Sequence, residues 1–376
     1  MNLLVSLLAV AFAFCSCSRA SVYERPTQGQ TETQAAKTDN RSKESGSSGP
    51  ARTAPVDPNR FAIVIAGVGG EESFTKRFTN DALRMYQLLT TRYGFAENNT
   101  LVLTENGPQA VIGAEDGFID AEKVSIPPSM ARSTAEEVRG AFAKIKAAAK
   151  PDSLVLIILM GHGSGDADQA KFNLPGPDLS ARDYAALIAP IPARRLIFID
   201  CSSASGGFIK PLSGPNRIII TATRSSNEQN ATAFAENLIA AFSDPAADTN
   251  KDGRLSVLEA FNFATKATAD YYNKRGLLAT EHAVIDDNGD GTGHESATGG
   301  DGPVADATFL DSQSTQEAAS DPELAGLLKK KQSLEDQIAQ LKARKDQMKP
   351  DEYQPELERL LVELAKVDQQ IRSHKK

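Results

Sequence analysis

Four runs of unbroken aliphatic residues constrain this chain most: RFAIVIAG from Arg60, SLVLIILM from Ser153, RLIFID from Arg195 and NRIIITAT from Asn216. A strand with one wet face alternates apolar and polar side chains. A strand apolar throughout is covered on both faces. Between these runs lie segments with helical spacing. Ala82, Met85, Tyr86 and Leu89 form one stripe, and "STAEEVRGAFAKIKAAAK" and "SARDYAALIAPI" supply two more helices, the former opening on a capping signal. Strand, helix, strand, helix predicts right-handed crossovers and an α/β fold with a mostly parallel central sheet, helices covering both faces.

Both ends of the chain read differently. "MNLLVSLLAVAFAFCSCSRAS" has an apolar core from Leu3 to Phe14, too short to span a bilayer comfortably, and reads as an export signal over residues 1–20. Ser18-Arg19-Ala20 offers one cleavage site. "FCSC" resembles a bacterial lipobox, in which Cys17 becomes a lipidated, membrane-attached N-terminus. The expected location is therefore periplasmic, secreted or membrane-anchored. Residues 21–56 hold almost no large apolar side chains and read as a disordered tether. Residues 298–318 read as a second linker. The tail over 319–376 carries Leu327, Leu334, Ile338 and Leu341 on one stripe, then Pro350, then Leu357, Leu360, Leu361, Leu364, Val367 and Ile371 on another. That pattern predicts an α-helical hairpin or coiled coil, able to self-associate, pack, or occlude a site. A formal charge of -8 speaks against nucleic acid as a partner.

Two of the aliphatic runs end on chemistry. SLVLIILM stops at Gly161-His162-Gly163, and RLIFID stops at Cys201, the one thiol of the body. Sites in parallel sheets gather at the carboxyl ends of strands. These two strands are consecutive, and neighbouring strands lie roughly 4.8 Å apart. His162 and Cys201 are therefore candidates for a dyad, the imidazole as general base and acid and the sulfur as nucleophile. The N–H groups of Gly163 and Cys201 are candidate oxyanion donors. No further His or Cys lies close enough in sequence to complete a zinc set.

At these residues the chain resembles the legumain family of cysteine endopeptidases within the caspase-like fold group. The resemblance covers roughly residues 60–290 and rests on RFAIVIAG, "LMGHGSGD", and "IDCSSASGG" followed by RIIITAT. It implies a caspase-like three-layer sandwich over 57–297, a thioester acyl-enzyme on Cys201, protein or peptide substrates, and Arg77 lining the pocket for the residue before the cut, with Asp81 matching a helix aspartate. The pattern also departs from the family. The place two before the cysteine, usually acidic, is Ile199, and the acid is Asp200, one nearer. Gly69, in "GVGG", stands about where the family carries Asn, and the cysteine loop is longer. Asparagine specificity does not carry over.

"DTNKDGRLSVLE" is a calcium-type loop. Asp248, Asn250 and Asp252 take its first, third and fifth places and Gly253 the turn. Arg254 offers a carbonyl, Ser256 the ninth place, and Glu259 the twelfth, bidentate one. A weaker echo starts at Asp286, with Asn288, Asp290 and Gly291, but its twelfth place is Ala297. The expectation is an exported cysteine endopeptidase braced by Ca2+. Its rivals are a transamidase-like acyl transferase and a catalytically silent calcium-binding scaffold that displays the hairpin.

Overall fold

The computed structural model describes residues 55–109, 126–165, 169–311 and 321–374. The export signal and all but the last two residues of the expected tether lie outside the described residues.

In chain order the elements are β1 (Arg60–Ala66), α1 (Glu72–Thr91), β2 (Thr100–Thr104), β3 (Ala131–Arg132), α2 (Ala135–Ala148) and β4 (Leu154–Met160). Then come the short strands β5 (Gly163–Ser164), β6 (Lys171–Phe172) and β7 (Leu179–Ser180), followed by α3 (Ala181–Ile188) and β8 (Arg195–Asp200). Next are α4 (Ile209–Leu212), β9 (Arg217–Thr221), α5 (Phe234–Ser243), α6 (Val257–Lys274), β10 (Val284–Asp286) and α7 (Pro303–Asp306). Two long helices close the chain, α8 (Pro322–Ala343) and α9 (Pro350–His374).

The main sheet runs β10-β9-β8-β4-β1-β2-β3. Every pair is parallel except β10 on β9. The four aliphatic runs are β1, β4, β8 and β9, side by side at the centre as their composition requires. One face packs on α1, α5 and α6 through Leu156, Ile158, Met160, Ile197 and Ile199. The other packs on α2 and α3 through Val155, Ile157, Leu159, Leu196 and Phe198. Capping chemistry starts the helices where the sequence places it. Thr134 caps α2, and Ser180 and Ser256 form reciprocal capping boxes with Asp183 and Glu259. No described helix is long and apolar enough to cross a membrane.

The structure differs from the sequence expectation at 298–311. Asp301, Val304, Ala305, Thr308 and Leu310 are buried, and the N–H of Val257 donates to the carbonyl of Thr308 at 2.9 Å. The domain thus runs on to residue 310. The segment's small residues, Gly, Ala, Ser and Thr, permit close packing here as readily as looseness. Residues 312–320 of the expected linker lie outside the described residues.

Helices α8 and α9 form the expected hairpin, antiparallel because Asp321 at its start meets His374 at its end, Oδ2 to Nε2 at 2.6 Å. Leu334, Ile338, Leu341, Leu360, Val367 and Ile371 bury against one another. The hairpin docks through α8. Asp336 binds Arg194 and Arg195, Lys329 pairs with Asp152 at 3.1 Å, and Gln340 reaches Asn216 at 2.8 Å. All four partners precede or begin β4, β8 and β9. The hairpin therefore sits at the amino ends of the strands, away from His162 and Cys201.

Candidate active site and calcium loop

Leu159 of β4 pairs with Asp200 of β8, so Met160 and Cys201 stand next to each other at the carboxyl ends of neighbouring strands. Alternation puts Ile197, Ile199 and Cys201 on the face covered by α1, α5 and α6. His162 lies on that face too. Its ring sits edge-on to Phe74 and Phe78 of α1, with centroids 4.7 and 5.0 Å apart. Both residues follow the ends of adjacent strands, and they share one face.

The sulfur is nevertheless sealed. Cys201 is 1% exposed, a member of the aliphatic core beside Ile199, Ile220 and Phe234. Burial pushes its thiol well above the ordinary range, and the negative charges of Asp200, Asp81 and Glu281 push it the same way. A thiolate nucleophile needs the opposite environment. The imidazole of His162 is held below its usual range, first by burial and then by the charge of Arg77, against a backbone hydrogen bond with Gly69. A neutral imidazole does not stabilise a thiolate.

Both expected oxyanion donors have partners in this structure. The N–H of Cys201 donates to the carbonyl of Leu159 at 2.8 Å, extending the β4–β8 ladder by one rung. The N–H of Gly163 donates to Ser203 Oγ at 3.1 Å, and that hydroxyl donates back to the carbonyl of Gly163 at 3.1 Å. Gly163 is required here because a Cβ would lie 2.1 Å from the carbonyl oxygen of Ser203.

Arg77 reaches the same corner. Its Nη2 donates to the carbonyl of Thr232 at 3.2 Å, and the Thr232 hydroxyl donates to the carbonyl of Cys201 at 2.5 Å. Its guanidinium lies 5.1 Å from both the Phe74 and Phe78 rings and 4.0 Å from Glu236. Arg77 thus ties α1 to the segment before α5, which in turn holds the Cys201 carbonyl. One turn on, Asp81 is 3% exposed, its Oδ2 has no partner, and burial followed by the charge of Glu236 raises it to about 7. Sequence reasoning missed Phe74, Phe78 and Thr232 here. Phe74 and Phe78 are spaced i, i+4 on α1, a signal that fits ordinary core packing equally well.

The calcium-type loop has the hydrogen bonds its ligand positions favour. The N–H of Gly253, at φ 83°, donates to Asp248 Oδ2 at 2.9 Å. The N–H of Asp252 donates to Asn250 Oδ1 at 2.8 Å, and that of Arg254 to Asp252 Oδ1 at 2.9 Å. Glu259 Oε1 accepts from the amides of Thr249 and Asn250 at 3.0 and 3.2 Å, while Oε2 accepts from the amide and hydroxyl of Ser256 at 3.0 and 2.9 Å. Among the described residues no three His, Cys, Asp or Glu side chains gather as a metal set; in this loop Glu259 is turned to those amides and its cap. Asp248 Oδ1 is a buried oxygen with no partner. A hard cation would satisfy it, so the loop fits Ca2+.

The echo loop has the same internal pattern. Gly291 N–H donates to Asp286 Oδ2 at 3.1 Å, Asp290 N–H to Asn288 Oδ1 at 2.8 Å, and Thr292 N–H to Asp290 Oδ1 at 2.7 Å. Asp301 Oδ1 accepts from the amides of Asp287 and Asn288 at 2.9 and 3.2 Å, as Glu259 does in the first loop. It does so from four residues beyond Ala297, outside any twelve-residue window, so the motif could not reveal it.

No family model and no curated protein matches the chain. Solved structures similar to it include protein GSU0716 from Geobacter sulfurreducens, at 13% identity and a TM-score of 0.38, over 60% of this chain and 92% of that one. The Drosophila initiator caspase Dronc is similar at 10% identity and a TM-score of 0.34, over 70% of this chain and 93% of that one. Likenesses this loose carry no weight for activity. The fold is a three-layer α/β sandwich around a mostly parallel seven-stranded sheet with one antiparallel edge strand, β10.

Proposed function

We propose that this chain is an exported scaffold built on a caspase-like domain, braced by Ca2+ and catalytically silent as folded, which displays its C-terminal hairpin at the end of the sheet remote from His162 and Cys201. The sealed thiol of Cys201 carries this reading. A nucleophile at 1% exposure, raised far above neutrality, with its own amide locked into the sheet, has neither the charge nor the access that acyl transfer needs. At the calcium loop Asp248, Asn250, Asp252, the Arg254 carbonyl and Glu259, turned inward, would hold the ion.

The second reading is the cysteine endopeptidase, hydrolysing peptides through Cys201 and His162. Its support is that both residues end adjacent strands on one face. It requires the Arg77–Thr232–Cys201 chain of contacts to open. Alkylation separates the two. The scaffold leaves Cys201 unlabelled by iodoacetamide at neutral pH until denaturant is added, and leaves a peptide library uncut. Native-state labelling slowed by His162→Ala, with cleavage abolished by Cys201→Ala, would establish the peptidase instead.

A further inference from the structure

Leu278 is 89% exposed and its neighbour Leu277 54%, the first being the barest large apolar side chain among the described residues. They stand on the turn that ends α6. Gly276, at φ 63°, reverses the chain, and the amides of Gly276 and Leu277 return to the carbonyls of Asn273 and Tyr272 at 3.1 and 3.0 Å. The base of the turn is tied down by hydrogen bonds. Glu281 accepts from the amides of Ala233 and Phe234 at 2.7 and 3.2 Å and from the hydroxyl of Tyr272 at 2.9 Å.

Behind the leucines lie Lys274 and Arg275, both exposed, and the Arg275 guanidinium lies 3.8 Å over the ring of Tyr271. The acids nearest in sequence are Asp270, one turn before Lys274, and Glu281, three residues past Leu278 but buried against the amides of Ala233 and Phe234 and the Tyr272 hydroxyl. Two bare leucines beside two exposed cations and a half-exposed aromatic are the chemistry that a boundary between lipid and water favours. The chain as a whole, at -8, is repelled by an anionic bilayer, so attraction must be local, and two cations beside the tip supply it.

We propose that this tip docks on an anionic lipid surface, with Leu277 and Leu278 entering the headgroup boundary and Lys274 and Arg275 meeting lipid phosphates. The turn leads into β10, whose Val284 pairs with Thr221 at the carboxyl end of β9. The tip is thus at the carboxyl end of the parallel strands, and docking points the hairpin, at their amino ends, away from the lipid. This goes beyond the scaffold reading and stands whether or not the site is catalytic.

The chain has no tryptophan, so Leu278→Trp in the full chain is a unique reporter. Its emission shifts to the blue on phosphatidylglycerol vesicles and is quenched by brominated lipid. Val362→Trp, exposed on α9, stays unquenched as the control. Lys274→Gln with Arg275→Gln weakens the response roughly thirtyfold, and Leu277→Asp with Leu278→Asp lowers partition by tenfold or more, on the order set by two partly buried aliphatic chains. All these positions are exposed, so the variants keep the parent melting temperature. An unshifted reporter overturns the proposal. So does an equal response on neutral lipid, or a shift that follows protein concentration without vesicles, the sign of a second copy.

Discussion

Asp336 in the first hairpin helix reaches Arg195 at 3.1 Å, at the start of the strand whose far end carries Cys201. It also holds Arg194 through two bonds at 3.0 and 2.9 Å. Arg195 is 1% exposed, and its Nε and Nη1 have no partner. Burial lowers its pKa, and Asp336 offsets that only in part. Asp336→Ala leaves a buried guanidinium without its nearest counter-ion. The expected loss is about 3–5 kcal/mol, read as a lower urea midpoint. If the midpoint stays within error, the hairpin is not anchored here.

Substitutions at Cys201 distinguish a core thiol from a solvent-facing one. In the aliphatic cluster, Cys201→Ala costs a small void. Cys201→Ser adds a buried hydroxyl among Ile199, Ile220 and Phe234, and the expected penalty over Ala is about 1–3 kcal/mol. At an open catalytic mouth both changes would stay within about 0.5 kcal/mol of the parent. Thermal and urea unfolding of the two variants side by side make the comparison.

The same alternation explains how much of this was legible in the sequence. Unbroken aliphatic runs announced β1, β4, β8 and β9, and the order of helices between them announced the layers. His162 and Cys201 were legible as strand-end residues for the same reason. Depth was not legible. Whether a residue one place past a strand is open or sealed depends on which distant segments pack around it, here with the Thr232 hydroxyl on the Cys201 carbonyl and Arg77 on the Thr232 carbonyl. Those contacts join residues 77 and 232, and no local pattern encodes them. Asp301 shows the same limit. It completes a loop from outside the motif's own window, so its role depends on the fold of residues 298–311, which read as a linker by composition.

Asp81 gives the domain a pH dependence of unusual sign. Its carboxyl is raised from 3.8 to about 7 by burial and by Glu236, against Arg77 and Arg84. Between those two values the folded state keeps a proton that the unfolded state has lost. Its contribution is therefore present in full below about pH 4 and is lost as pH rises through about 7. A shift of this size is worth on the order of 4 kcal/mol. Asp200, raised to about 7 by its burial, adds a decline in the same window. Asp81→Asn should flatten part of the fall in unfolding free energy between pH 5 and pH 8, and should gain most at pH 8. An unchanged slope would mean that Asp81 is ionised and solvated in the native protein.

Calcium should act on stability through a loop whose residues are separable by mutation. Asp252 accepts only the amide of Arg254 and is exposed, so Asp252→Ala removes a ligand while leaving the apo fold nearly unchanged. Glu259 is different. It accepts the amides of Thr249 and Asn250 and both donors of Ser256, and it closes the capping box that starts α6. Glu259→Gln therefore costs stability without metal, typically about 1 kcal/mol for a lost cap, and costs the response to metal as well. For the parent, free Ca2+ at a hundredfold excess over its Kd adds about 2.7 kcal/mol. A chelator should lower the melting temperature of the parent, leave that of Asp252→Ala unmoved, and leave Glu259→Gln low throughout. Equal melting temperatures for the parent in chelator and in millimolar Ca2+ would show that the buried Oδ1 of Asp248 is satisfied by something other than a cation.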